Sequence, residues 1–389
     1  MNRANVGRGL VILAIAGFFG FRYYQLDSSI YLLYIALFGG LGLLSLAHRL
    51  PARWQNAVLN LGISLVFLNL VFAEIDWAEF GEALTGANYW WFIPSTLCVL
   101  IHLYFRTVRW QWLLKPLGQV TFWPAFRALV IGITGNTVLP ARAGEFLRAY
   151  VLGRSAGLSK PGVFATIVVE RIFDGLTVLL VLLAVVILGV RSEALQRAGM
   201  LGAVFYVGAI VALVVFMSQR HWADAVIHKL LPRNLADFSL RILDGFTSGL
   251  AVLKNPRQLG MVTFYNFWTW ILIPLSFYFA LRAFDFGAPI PWTAPVLMLP
   301  AMALALTIPG APAGVGLVQF AVKLTLDSTF IDLPVALNFV ELVAAASILI
   351  HLSQLVPEVI LGVISFMYEG LSTSDIKAGQ QIASSEVTS

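Results

Sequence analysis

Hydrophobic positions along this chain are gathered into long runs, with the polar positions confined mostly to the gaps between them. A run of about 20 apolar residues has the length a helix needs to cross a bilayer. The pattern predicts membrane-spanning helices near 9–21, 30–47, 57–73, 88–105, 163–190, 199–217, 258–281 and 335–368. The first is short and is expected to lie tilted or interfacial, and the last is long enough to contain a bend at Pro357. Two further apolar stretches, about 124–150 and 292–325, are interrupted at Pro140-Ala-Arg-Ala-Gly144 and Pro312-Ala-Gly-Val-Gly316. Such a break frees backbone groups, which lipid tolerates only where protein or a watery cavity satisfies them again. Each interrupted stretch is expected to enter the membrane and turn back. The expected fold is therefore all-α: a polytopic helical membrane protein with about eight transmembrane helices plus two broken re-entrant segments.

Two breaks in corresponding places of two halves point to the substrate site of a transporter. If both segments return to their own side, the three crossings between them make the first enter from the cytoplasm and the second from outside. The halves, about 88–217 and 258–368, then form an inverted repeat. Val169-Glu170 and Val340-Glu341 recur after the breaks, and Tyr104-Phe105 and Tyr278-Phe279 before them. Chance is the competing explanation, because small residues are common in membrane helices. The chain divides into N-terminal helices (1–56), the main transmembrane domain (57–370) and a Ser-rich polar tail (371–389), which is expected to be disordered.

Composition supports the membrane class: of 389 residues, 59% are hydrophobic and 12% charged, and the mean hydropathy is +0.85. No soluble domain of useful size is expected. Arg3 and Arg8 precede an apolar run, as in a signal peptide, but Arg22 follows with no small-residue cleavage site, so a retained helix is expected. The single cysteine, Cys98, offers neither a disulfide nor a thiolate metal site, and no metal or cofactor is expected. The pI near 9.4 reflects where basic residues sit relative to the membrane rather than nucleic-acid binding.

Basic residues set the orientation. With the N-terminus inside, Arg49 and Arg53, the loop after Phe105 (Arg106, Arg109, Lys115), the stretch Arg142 to Lys160 and the connector Arg220 to Arg257 all face the cytoplasm. Arg22, Arg191, Arg197, Arg282 and Lys323 then lie outside, with the acidic turn Glu74, Asp76, Glu79 and Glu82. Both termini are expected to be cytoplasmic, in a cell's inner membrane. Within the connector, Phe238, Ile242, Phe246 and Leu250 predict an amphipathic helix in the interface.

The chemistry concentrates in Asn136-Thr-Val-Leu-Pro140-Ala-Arg142-Ala-Gly144-Glu145-Phe-Leu-Arg148 and in Glu170-Arg171-Ile-Phe-Asp174. Pro140 and Gly144 suit the end of one half-helix and the start of another, whose N–H groups and dipole make an anion site. Arg142 and Arg148 add guanidinium forks matched to phosphate oxygens, and Glu145 is placed to hold both forks when the site is empty. As an alternative, the two arginines are anchors snorkelling to headgroups. Each charge at a helix centre costs on the order of 2.5–3.5 kcal/mol, so Glu170, Arg171 and Asp174 imply partners or a wet cavity, or a self-satisfied structural cluster.

The first motif, followed by Val169-Glu170-Arg171-x-x-Asp174 and Pro312-Ala-Gly-Val-Gly316, resembles the transmembrane domain of bacterial lysylphosphatidylglycerol synthases and their stand-alone flippase-like relatives, over roughly residues 57–368. The resemblance implies movement of phosphate-bearing lipids between leaflets: phospholipids such as aminoacylated phosphatidylglycerol, or polyprenyl-phosphate sugars. It implies a partner enzyme that modifies the lipid or transfers sugar, and it marks Arg142, Glu145, Arg148, Glu170, Arg171 and Asp174 as candidate functional positions; with Asn136, Gly144, Pro312, Gly314, Gly316, Gln319 and Glu341 from the breaks and the repeat they make up the candidate substrate-binding residues. Two departures matter. No soluble aminoacyltransferase domain follows, so lipid synthesis is not expected, and Gln319 stands where many relatives carry an acid. A transporter rather than an enzyme is expected, and no phosphate-binding Gly-x-x-x-x-Gly-Lys loop is present. The alternatives are a membrane glycosyltransferase, which would need an outward carboxylate where the first outer loop offers only Asp27, and a non-transporting envelope-assembly subunit.

Overall fold

A computed structural model of the chain describes residues 3–139, 143–187, 255–308 and 312–372, together with isolated positions between 200 and 240 and Asp375. The expected helix at 199–217, the amphipathic connector helix at Phe238–Leu250, Pro140, Arg142 and most of the polar tail lie outside the described residues. Among the described residues there is no strand, and twelve α-helices carry the fold of a helical membrane protein.

The N-terminal part holds α1 (Arg3–Leu26), α2 (Ile30–Leu46) and α3 (Ala52–Phe72). The first helix is not short: it is 24 residues long and apolar enough to cross a membrane from Asn5 to Leu26. It continues past Arg22 because that charge is satisfied from α3 and the turn after it, with Nε donating to Asn69 at 2.9 Å and Nη2 pairing with Glu74 at 3.1 Å. Helices α1 and α2 form an antiparallel pair in which Gly9 and Gly42 let the backbones approach Leu46 and Leu13. The acidic turn holds a short helix, α4 (Trp77–Thr85), whose N-cap Asp76 accepts from the N–H groups of Ala78 at 2.8 Å and Glu79 at 3.2 Å.

Two four-helix units follow. The first comprises α5 (Phe92–Leu114), α6 (Phe122–Val138), α7 (Gly144–Ala156) and α8 (Lys160–Ile187). The second comprises α9 (Pro256–Leu281), α10 (Thr293–Ala305), α11 (Leu317–Thr329) and α12 (Phe339–Tyr368). In each unit the middle helices form a hairpin at a Pro/Gly break, and the arms of 13 residues in α7, α10 and α11 span only about 20 Å, short of the ~30 Å hydrocarbon core.

The last helix of each unit packs on its own hairpin and also across onto the other: α8 on α7 and on α10, α12 on α11 and on α6. The two leading helices, α5 and α9, pair most extensively. Trp91 faces Phe279, His102 meets the Thr269 carbonyl and Phe105 stacks on Trp268, so these equivalent helices run antiparallel. Equivalent helices that oppose each other in this way are related as the expected inverted halves would be. The second hairpin turn has left-handed backbone at Ala313 (φ 60°) and Gly316 (φ 89°). A side chain at Gly316 would meet the Ser64 carbonyl of α3, so only glycine fits there.

Candidate functional site

Local sequence brings α6 and α7 together through three glycines. Gly132, Gly135 and Gly144 have no side chains between the two backbones, and a Cβ on Gly144 would run into Gly132 and Asn136. This close approach places Arg148, one turn into α7, against α8 and α5. The space that a side chain at Gly144 would take is thus filled by neighbouring backbone. The start of α7 has no side-chain cap, so its first N–H groups remain a positive helix end.

Glu170 lies at the centre of the resulting cluster and is fully buried. Four guanidinium groups converge on it: Arg106 Nε at 3.1 Å, Arg109 Nη2 at 3.2 Å, Arg148 Nη2 at 2.7 Å and Arg171 Nη2 at 3.2 Å. Asp174, one turn along α8, pairs with Arg109 Nη1 at 2.7 Å and Arg171 Nη1 at 3.5 Å, and accepts from Trp270 Nε1 at 3.1 Å. Asn266 of α9 accepts from Arg109 and donates to Thr177 at 2.7 Å. The Arg148 guanidinium carbon lies 3.7 Å from the centre of the Trp110 ring, a cation–π contact, and Trp110 Nε1 donates to Thr166 at 3.0 Å.

Of the predicted residues, Asn136, Glu145, Arg148, Glu170, Arg171 and Asp174 come together here. Glu145 is not the main holder of Arg148, from which it lies 3.8 Å away; Glu170 is. Glu145 instead accepts from Asn136 at 3.3 Å and pairs with Arg171 at 3.6 Å. Arg106 and Arg109, expected in a cytoplasmic loop, are inside the cluster because α5 continues nine residues past Phe105. Asn266 was not singled out by sequence reasoning.

The remaining predicted residues occupy a second place. The Pro312–Gly314 turn packs against α6, and Gly314 abuts Leu306. The Gln319 amide accepts from the Gly316 N–H at 2.7 Å and bonds the buried His351 of α12 at 3.0 Å, which fastens the second hairpin turn. Glu341 stands in the first turn of α12 and accepts from the Asp76 N–H at 3.2 Å. It is far along the fold from Glu170, which sits nearly three turns into α8, so the repeated Val-Glu pair does not mark equivalent depths.

The arginine cluster has two chemical properties. Its described ion pairs join four guanidinium groups to three carboxylates, leaving a surplus of one positive charge. Several donors are also unmatched: Nε and Nη1 of Arg148 and Nε and Nη2 of Arg109 are buried without a hydrogen-bond acceptor. Arg109 Nη2 is near Glu170 but misaligned for a hydrogen bond. Buried donors of this kind cost free energy unless something accepts from them. At the edge of the cluster the Arg171 side chain is 42% exposed. No group of three or more His, Cys, Asp or Glu side chains suited to hold a metal ion occurs among the described residues.

Residues 57–362 match the family described as the lysylphosphatidylglycerol synthase TM region. Over 129 residues the chain is 32% identical to a protein named glycosyltransferase AglD from Haloferax volcanii, covering 32% of this chain and 20% of that protein. Over 115 residues it is 28% identical to the UPF0104 membrane protein MJ1595 of Methanocaldococcus jannaschii, covering 29% of this chain and 34% of that one. The matches thus span about a third or less of these curated relatives. No solved structure matches the chain.

Proposed function

Because the chain belongs to the lysylphosphatidylglycerol synthase TM-region family, we propose that it carries a phosphate-bearing lipid between the leaflets of the cytoplasmic membrane, with no chemistry performed on it. The observation that carries this reading is the set of buried, unmatched guanidinium donors on Arg109 and Arg148 beside the uncapped start of α7. A phosphate oxygen is the acceptor such donors fit best, because the planar fork pairs with it bidentately.

The need for such a site follows from solvation. An ionised headgroup in bare hydrocarbon costs tens of kcal/mol by Born solvation, whereas its acyl or isoprenoid tail belongs there. The protein has to supply a polar path for the headgroup alone. Arg171, at the exposed edge, meets the phosphate first; Arg148 and Arg109 then exchange part of their hold on Glu170 and Asp174 for phosphate oxygens. Rocking of one unit against the other around the two hairpins carries the headgroup across. Phospholipids and polyprenyl-phosphate-linked sugars share the required chemistry, and an enzyme that makes or uses the lipid is the expected partner.

Liposomes containing the purified chain and fluorescent phosphatidylglycerol or a fluorescent prenyl-phosphate sugar test this reading. Wild-type protein is expected to make inner-leaflet probe accessible to a membrane-impermeant quencher. Arg148→Ala is expected to lose most of that activity while remaining folded, and Arg148→Lys to recover only part of it. Equal rates for wild type and Arg148→Ala would contradict the proposal. A second reading, sugar transfer from a prenyl phosphate, draws on the name of the Haloferax relative. Release of labelled sugar from the same liposomes would favour it.

A further inference from the structure

Glu358 is an acidic side chain at membrane depth that the cluster leaves without a partner. Glu145, Glu170 and Asp174 are all ion-paired, whereas among the described residues the Glu358 carboxylate has no hydrogen bond or ion pair. Its position on α12 is set by packing. Gly362, one turn on, lacks a side chain because Thr134 and the Val130 carbonyl of α6 occupy that space. The Thr134 hydroxyl donates to the Glu358 carbonyl at 3.3 Å. Glu358 is therefore held at the crossing of α12 with the first hairpin, where the positive field of Arg106 from α5 reaches it. Arg106 is the cluster's outlying arginine, bonded to Glu170 through Nε with its side chain 15% exposed.

The helices packed closely on α12 offer few other charges. On α5 the titratable neighbours are Arg106, Arg109 and His102, the last bonded to the Thr269 carbonyl at 2.8 Å. Helix α6 carries only Arg127, taken by Glu369 at the far end. Helix α11 has the Lys323–Asp327 pair at 2.8 Å, α9 only Arg257 in its first turn, and α4 only Glu79 and Glu82. On α12 itself His351 is bonded to Gln319 and Glu341 to Asp76. Among the described residues it is Arg106, with the cluster behind it, that is placed to respond to Glu358.

Charge balance then links the two. The described cluster carries one surplus positive charge, which an ionised Glu358 cancels. An arriving phosphodiester anion removes the same surplus, and two anions against one unit of positive charge disfavour each other. We propose that Glu358 takes up a proton when a phosphodiester headgroup enters the arginine cluster and releases it when the headgroup leaves, so that lipid and proton move together. The proton comes from water at the open side of the site and returns to water at the other, and no covalent bond in the lipid changes. This inference rests on the phosphate-lipid reading above. Linkage requires the reverse effect as well: protonating Glu358 must strengthen headgroup binding.

The test uses the full chain in weakly buffered detergent solution with two probes that do not titrate near neutral pH, dioctanoyl phosphatidylglycerol and citronellyl phosphoryl glucose. Wild-type protein is expected to take up as much as one proton per bound probe, with an affinity that falls up to about tenfold per pH unit once Glu358 ionises. Glu358→Gln is expected to bind as wild type does at low pH, with no proton uptake and no pH dependence. An infrared C=O band of a protonated carboxyl group, appearing when probe is added to wild type, gives the same readout should the variant fail to fold. Binding by wild type without proton uptake, or equal uptake by Glu358→Gln, overturns the inference and leaves the lipid reading standing. Failure of wild type to bind either probe overturns both. Preference for one probe identifies the lipid class.

Discussion

Glu170 is the residue on which the site's electrostatics converge, since four guanidinium groups share its two oxygens in a fully buried position. Removing one partner of a buried ion pair leaves uncompensated charge and costs about 3–5 kcal/mol. Glu170→Gln, which keeps the shape and removes the charge, is expected to lower the thermal stability of the purified protein by an amount in that range. A change under about 1 kcal/mol would mean that the arginines find other acceptors. Much of this cluster was legible in the sequence, because charges inside an apolar run stand out. Arg106 and Arg109 were not legible: basic residues at the end of an apolar run are what an anchor looks like, and only the acids of α8 reveal that the helix continues. Asn266 carries no charge and sits in a run of aromatic residues, so nothing in the pattern separates it from the lipid-facing positions around it.

At the scale of elements, the Pro/Gly breaks predicted hairpins and the hairpins are there, but the glycines work by packing. Gly144→Leu is expected to force α7 away from α6, with a cost of at least the 1–3 kcal/mol typical of overpacking and loss of the Arg148–Glu170 pair. Normal expression and stability of that variant would show that the hairpin tolerates separation. The polar tail has an ordered beginning that its composition did not announce. Asp375 accepts from Tyr150 at 3.0 Å and Arg154 at 2.8 Å of α7 and from the Ser372 N–H at 2.9 Å. The Ser372 donors, with Tyr150 and Arg154, hold the Asp375 carboxyl below the ordinary aspartate range. A depressed carboxylate contributes its stabilisation above the unfolded pKa and loses it as pH falls through the folded one. The contact is thus expected to be complete at neutral pH and to release in acid. Hydrogen-exchange protection at Leu371 and Ser372, relative to the unstructured peptide at the same pH, should be lost in wild type as acid protonates Asp375 and be low already at neutral pH in Asp375→Asn. Exchange that is slow in both would contradict the latch.

For the whole molecule, two units with antiparallel leading helices, and last helices that also pack across onto the other unit, make an architecture that composition alone could not specify. The apolar runs gave the helices and the paired breaks suggested the repeat. The longer connection before α12 and the packing of α8 and α12 across onto the other unit depend on contacts between distant segments, which no local pattern reports. The central claim is that a headgroup passes between two hairpins that open to opposite sides. It is tested most directly by cysteines placed singly at Ala143 and Val315, equivalent positions of the two breaks, in protein with Cys98 replaced by Ser. A membrane-impermeant thiol reagent is expected to label residue 143 mainly from the cytoplasmic side and residue 315 mainly from outside, with added substrate lipid reducing both. Labelling of both positions from the same side, unaffected by lipid, would contradict the account.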